Sequence, residues 1–316
     1  MTVAGRWLAG RRDAFARHFF APRDARICAV IRLGVSLCLL INLLVLGKDL
    51  QLWFSEQGVL PLQAAFSIVD PDAIPVFQWF PTSWPVIKAL YAVAVLQTLL
   101  LLLGFRARFQ AICLFAWLVV FQYRNLLLLD GGDTVFRLLT FFLALMPCGA
   151  AFSVDAWLAR RRGQPLAIVR PIWALPLVQI EMTLIYASTA WEKLKGDDWI
   201  SGNALYYVSR LDDNFGQSAI ASFLFQYLFV CKLVSRLVLA FEILLPITLW
   251  IKATRRLALA AGILFHLMLD NVMHLFLFEW VMIMGLLSFL NTDDLSWLQG
   301  LAGRIRGKLR PVSSGR

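Results

Sequence analysis

The chain has 316 residues, of which 60% are hydrophobic and 16% charged, with a mean hydropathy of +0.70. Soluble domains are roughly half apolar and one quarter charged, so this composition excludes an ordinary water-soluble globule and makes the lipid bilayer the expected partner. The net charge of +10 does not mark a nucleic-acid binder, because the basic residues alternate with apolar runs of hydrocarbon length rather than forming one basic domain.

Residues 1–26 read as a basic segment carrying Arg6, Arg11, Arg12, Arg17, Arg23 and Arg26. No cleavable signal peptide is expected, since the first apolar run is already as long as a membrane span. A hydrocarbon core of about 30 Å asks for about 20 apolar residues per helix. Runs at 28–47, 86–104, 109–129, 134–150, 174–191 and 233–251 meet or approach that length. A last run, 257–290, is interrupted by Asp270, Asn271 and His274 and reads as two short spans. The connection 48–85, with Trp53, Phe54, Phe77, Trp79, Phe80 and Trp84, is expected to pack as an aromatic cap at the interface. Residues 218–231 are apolar but too short for a span and suit an interfacial or re-entrant helix.

Basic residues orient the spans. Besides the N-terminal segment, they gather at Arg106 and Arg108; at Arg160, Arg161, Arg162 and Arg170; at Lys252, Arg255 and Arg256; and at Arg304, Arg306, Lys308 and Arg310. All five groups fall on the cytoplasmic side if the chain crosses eight times. The other connections carry Asp49, Glu56, Asp70 and Asp72; Asp130 and Asp133; Asp197, Asp198, Asp212 and Asp213; and Asp270. The fold expected is therefore an all-α integral membrane protein, with about eight transmembrane helices in one bundle over 27–292 and both termini cytoplasmic. The basic tail 293–316 is expected to lack structure in its last part.

Ionisable residues in or beside apolar runs are costly in lipid and are candidate functional positions. The third run ends in Gln122, Tyr123, Arg124 and Asn125. In the turn that follows, Asp133 is expected to cap the next helix and pair with Arg137; the functional alternative is a polar rim around a cavity mouth. Lys193 ends the fifth run. In an apolar pocket it would lose its proton and serve as a general base; as a snorkelling cation it would pair with Glu192, Asp197 or Asp198. Glu242 stands four residues before Pro246, at a kink. His266, Asp270 and His274 could bind zinc on one continuous helix, but a hydrogen-bonded core histidine at His266 is the better reading. Cys28, Cys38, Cys113, Cys148 and Cys231 have no metal or redox spacing and read as small hydrophobes. Neither a phosphate-binding P-loop nor a GxSxG elbow is present, so an ATP-driven pump or an α/β-hydrolase has no support.

The ordered set Asn125, Asp130-Gly131-Gly132-Asp133, Arg137, Pro147, Ser153-Val154-Asp155, Lys193-Leu194, Trp199, Gly202, Ala204-Leu205-Tyr206, Glu242, Pro246 and Phe265-His266 resembles the HTTM family over roughly residues 10–292. This membrane domain is shared by vitamin K-dependent gamma-glutamyl carboxylases and shorter bacterial proteins. The resemblance implies that Lys193 is the base towards a membrane quinone, with His266 also catalytic. It further implies that Arg124, Asn125, Asp133, Arg137, Trp199 and Glu242 surround a substrate, a secreted peptide or protein.

Two departures argue against a full carboxylase. The large domain that follows the membrane helices is not found after the last apolar run, and Ala150 stands where carboxylases have a functional histidine before Ser-Val-Asp. Shorter relatives that mature a secreted peptide toxin are more similar. The resulting expectation is a quinone-using or peptide-modifying enzyme of a bacterial inner membrane. Its alternative is a non-catalytic peptide maturation, export or immunity factor, and a transporter is disfavoured because no inverted repeat is seen.

Overall fold

The computed structural model describes residues 11, 13, 15–16, 18–68, 83–211, 219–273, 275–297 and 300. Arg6, Arg12, Arg17, Asp70, Asp72, Phe77, Trp79, Phe80, Asp212, Asp213, His274 and the basic tail from Arg304 to Arg310 lie outside the described residues.

Eight helices form the body: α1 (Ala25–Leu46), α2 (Trp84–Leu103), α3 (Ala107–Arg124), α4 (Gly131–Leu145), α5 (Ala174–Lys195), α6 (Leu228–Trp250), α7 (Arg255–Val272) and α8 (Phe278–Leu286). Their positions follow the apolar runs. The long last run does break in two, at residues 273–277. The short segment at 218–231 is different from expectation: a helix at Ala219–Phe225 ends, and α6 begins three residues later at Leu228. The last four residues of that segment are thus the first turn of α6.

Each helix packs on its sequence neighbour within α1–α4 and again within α5–α8, and α8 joins the two groups by lying against α1, α4 and α5. Close approach there depends on small residues: a Cβ on Gly34 would fall 1.9 Å from Met284 Sδ, and one on Gly285 would fall 2.2 Å from Met182 Sδ. With lipid as solvent, such close packing is a main source of helix association. Ile31, Val35, Leu139, Leu143, Leu175, Val178, Val281 and Leu286 form the shared core.

The connections sort into two sets by their contacts. At one end, strands β1 (Pro22–Asp24) and β2 (Val169–Pro171) pair antiparallel with Arg23 opposite Arg170, the exception to an all-α chain. At the same end Asp155 accepts from the backbone N–H groups of Arg106 (2.8 Å) and Ala107 (3.0 Å), and Arg108 Nε donates to Met146 O at 3.0 Å. There, too, Asp294 pairs with Arg255 at 3.0 Å and Arg256 at 2.5 Å. Burial pushes the Asp294 carboxyl up, but the Arg256 hydrogen bond, the Asn291 N–H and the two guanidinium charges outweigh it and hold the group below the usual carboxylate range. At the other end Arg124 donates to Leu60 O and Asn125 Nδ2 to Trp53 O, both at 2.9 Å, while Ser235 Oγ accepts from Leu205 N–H at 3.1 Å. The first two contacts fasten the aromatic cap, whose Leu50, Phe54, Leu60 and Ala65 bury themselves against Ile87 and the end of α3.

Two helical stretches, Ala25–Phe54 and Trp84–Leu103, are long and apolar enough to cross a membrane by length and composition, against eight expected. The rest fall short for local reasons. Helices α4 and α8 have only 15 and 9 residues. Glu181, Glu192, Lys193 and Lys195 lie in α5; Lys232, Arg236 and Glu242 in α6; Arg255, Arg256 and Asp270 in α7; and Arg108 and Arg124 near the ends of α3. Ionisable residues within these helices are what lower their hydropathy.

Candidate functional site

Helices α5 to α8 bring five ionisable or hydrogen-bonding side chains into the bundle interior. Lys193, in the last turn of α5, donates to Glu242 Oε1 on α6 in an ion pair, and its Nζ also lies 4.6 Å from the ring centre of Trp199. One residue away, Glu192 points outward and pairs with Lys195 at 2.6 Å. The expected partners of Lys193, Glu192 and the two aspartates, are thus replaced by Glu242. A step of about 100° per residue turns Lys193 towards α6 while Glu192 stays on the exposed side. The second carboxylate oxygen of Glu242 is buried and has no hydrogen-bond partner among the described residues.

Deeper along α5, the Tyr186 hydroxyl lies 2.5 Å from His266 Nε2, and His266 Nδ1 contacts Glu279 Oε2 on α8. The simplest proton assignment has Nδ1–H donating to the carboxylate and the tyrosine O–H donating to Nε2. All three residues are at most 3% exposed. Glu242 lies within electrostatic reach of the Tyr186 hydroxyl, which links the two groups. His266 is therefore a hydrogen-bonded core residue. Asp270 does not join it, and no group of three metal-ligating side chains occurs among the described residues.

The remaining expected site residues gather elsewhere. A cavity of about 270 Å³ lies between α1, α2 and α3 beneath the cap, walled by Leu43, Leu114, Phe121 and Trp53, with Gln122, Asn125, Asp130 and Asp133 at its polar end. Four polar residues from the end of α3 and the turn after it thus gather at one cavity, but the caps are arranged differently. Asp130, not Asp133, is the N-cap of α4; its side chain accepts from Asp133 N–H at 2.9 Å, and the Asp133 carboxylate reaches back to Asp130 N–H. That reciprocal box turns Asp133 away from Arg137. Arg137 instead donates to Gln122 Oε1 at 2.9 Å and covers the Tyr123 ring. Arg124 is buried beneath the cap, near Glu56.

Lys193, Trp199, Glu242 and His266 line no part of the cavity that Asn125 and Asp133 share. A quinone in that cavity would not meet Lys193, whose ammonium is already taken by Glu242 and Trp199. The residues around Lys193 do not fit the quinone that the resemblance implies, and no chemistry is assigned through it.

Tyr186, Glu279 and the fully buried Arg32 were not foreseen. Glu279 and Arg32 did carry a signal, being charged residues inside apolar runs. Tyr186 carried none.

The HTTM domain family model matches residues 20–294, close to the 10–292 expected. A relative from Bacillus subtilis (strain 168), "Sporulation-delaying protein SdpB", is 26% identical over 201 residues, which cover 61% of this chain and 60% of that protein's length. No solved structure matches. The matched span runs from just before β1 through α8 to Asp294 and takes in both side-chain clusters; on that ground the chain belongs to the HTTM domain family of membrane proteins.

Proposed function

We propose that the chain is a peptide-modifying enzyme of the bacterial inner membrane, working by proton transfer at Lys193 and Glu242 near the outer face. The observation that carries this reading is the ion pair between α5 and α6, with Trp199 over the ammonium. Charged side chains in a membrane bundle are expensive and are kept where they serve a substrate or proton path. In such a site a proton passing from Nζ to Glu242 leaves a neutral amine and a neutral acid. The amine then takes a proton from the substrate, and the net charge of the pair plus substrate is unchanged.

Lys193→Ala and Glu242→Gln test this. Peptides secreted by cells carrying each variant would be compared with wild type by mass spectrometry, with membrane levels of the protein checked by blotting. The expected result is loss of a mass-shifted peptide at normal protein level. An unchanged set of peptide masses and amounts would refute it. A second reading, a non-catalytic peptide maturation, export or immunity factor, is favoured by Glu242 and Trp199 both holding Lys193 as a cation. It predicts unchanged masses but lower amounts.

The same reading places one transmembrane domain over 27–292, with eight crossings between cytoplasmic segments 1–26 and 293–316. Support comes from the contacts: among the described residues, the hydrogen bonds, ion pairs and strand pairing at each end join connections of one set, and the sets alternate along the chain. In a variant whose five native cysteines are replaced, Glu192→Cys is expected to react with an impermeant maleimide on intact cells, and Gln164→Cys only after permeabilisation. Labelling of Gln164→Cys on intact cells, or of Glu192→Cys only after permeabilisation, would overturn the arrangement.

A further inference from the structure

At the end carrying the arginine-rich connections, a second concavity of about 420 Å³ opens beside the start of α3. Arg106, Arg108 and Arg170 line it, together with Asp155, Phe109 and Leu166. All three arginines are exposed, and none forms an ion pair with an acidic group among the described residues. Asp155, the acidic group present, is committed elsewhere: both its oxygens accept backbone N–H groups, from Arg106 and Ala107.

The arginines are also held in place. Arg108 donates to the carbonyls of Met146 and Leu145 at the end of α4. Arg170 is fixed by strand pairing with Arg23. The backbone of Arg106 sits in the left-handed region at φ 46°, a costly conformation for a residue with a Cβ, stabilised by its N–H bond to Asp155. Next to this cationic wall Phe109 is 57% exposed and Leu166 38%.

We propose that this concavity binds the phosphate headgroup of an anionic phospholipid, with Arg106, Arg108 and Arg170 on the phosphate and Phe109 and Leu166 against the first part of an acyl chain. Planar guanidinium groups match phosphate oxygens two at a time. Three such groups facing one hydrogen-bonded carboxylate leave the site a net positive charge that a zwitterionic lipid does not complement. The apolar side chains at the same rim distinguish a lipid phosphate from a free one. The inference needs the chain to sit in a bilayer, as its family does, and is independent of the reading of Lys193.

Native mass spectrometry of the full chain in detergent, titrated with phosphatidylglycerol, cardiolipin or phosphatidylcholine, tests the proposal. Wild type is expected to retain the two anionic lipids and not phosphatidylcholine. Arg106→Gln/Arg170→Gln should lower their affinity about thirtyfold, from two lost cations at the headgroup. Arg160→Gln/Arg161→Gln removes the same charge at the same end but outside the site, and should leave binding within about twofold. Arg170→Gln alone, on an exposed strand residue, serves if the double variant elutes as an aggregate and should cost about fivefold. Equal losses in both double variants would show bulk charge attraction alone and overturn the site, as would no loss in either. Displacement of the lipid by millimolar inorganic phosphate would make it a phosphate site and overturn the lipid assignment.

Discussion

Replacing His266 by Leu is expected to destabilise the folded protein by about 3–5 kcal/mol, the range seen when loss of a partner leaves a buried charge uncompensated. The loss does not measure the value of the pair. It arises because Glu279, fully buried on α8, would keep its carboxylate in the bundle with no donor in place of His266 Nδ1, when its other oxygen already lacks a partner among the described residues. The Tyr186 hydroxyl would be stranded at the same time, at a cost of about 1–3 kcal/mol. His266→Leu/Glu279→Met therefore should recover more than half of the deficit, since it removes the carboxylate with the imidazole and refills the space with an apolar chain of similar volume. Adding Tyr186→Phe should recover most of the rest. Unfolding midpoints of the detergent-solubilised variants measure this. Additive losses across the series would mean that the three side chains act separately and that the relay between α5, α7 and α8 is not a unit.

How much of this was readable beforehand depends on the kind of contact. The helices follow from apolar length, so α1, α2, α3, α5 and α6 fall close to the runs that announce them, and the break in the last run is marked by Asp270 and Asn271. Which face of a helix turns inward is another matter. An amphipathic soluble helix reveals its buried stripe by periodicity, but a helix that is apolar all round does not. For that reason the sequence offers Lys193 three acidic neighbours within five residues and hides Glu242, which is 49 positions away. The pairing of His266 with Glu279 likewise depends on the turn at 273–277 folding α8 back on α7. The Asp130–Asp133 box was closer to hand. The sequence pattern points to Asp133 as the cap of α4, three residues after Asp130, which holds that place. The β1–β2 pairing, three residues on each strand, has no alternating pattern long enough to read.

Gly104→Ala is expected to cost about 2–4 kcal/mol, and its comparison with Gly163→Ala separates two causes. Both glycines have φ of +70°, where an alanine pays about 1–2 kcal/mol. Around Gly163 nothing lies within 4 Å of an added Cβ, so the conformational cost stands alone there, reduced by the stiffer unfolded chain. Gly104 closes α2 in a Schellman turn, its N–H donating to Leu101 O and Phe105 N–H to Leu100 O, and an added Cβ would fall 1.6 Å from Arg32 Nη1 and 2.4 Å from Ser153 Cβ. Neither neighbour can withdraw cheaply. Arg32 is fully buried in α1 with Nη2 donating to Phe152 O at 2.6 Å, and Ser153 caps the helix Val154–Arg161 by accepting from Ala156 N–H. Overpacking of this kind adds about 1–3 kcal/mol. Gly104 O also accepts from Asp155 N–H, so a shift at position 104 reaches the carboxylate that holds Arg106 and Ala107. Thermal unfolding in detergent should thus place Gly104→Ala well below Gly163→Ala. Equal midpoints would mean that Arg32 has room to move and that α1 and the 104–106 turn are not packed as described.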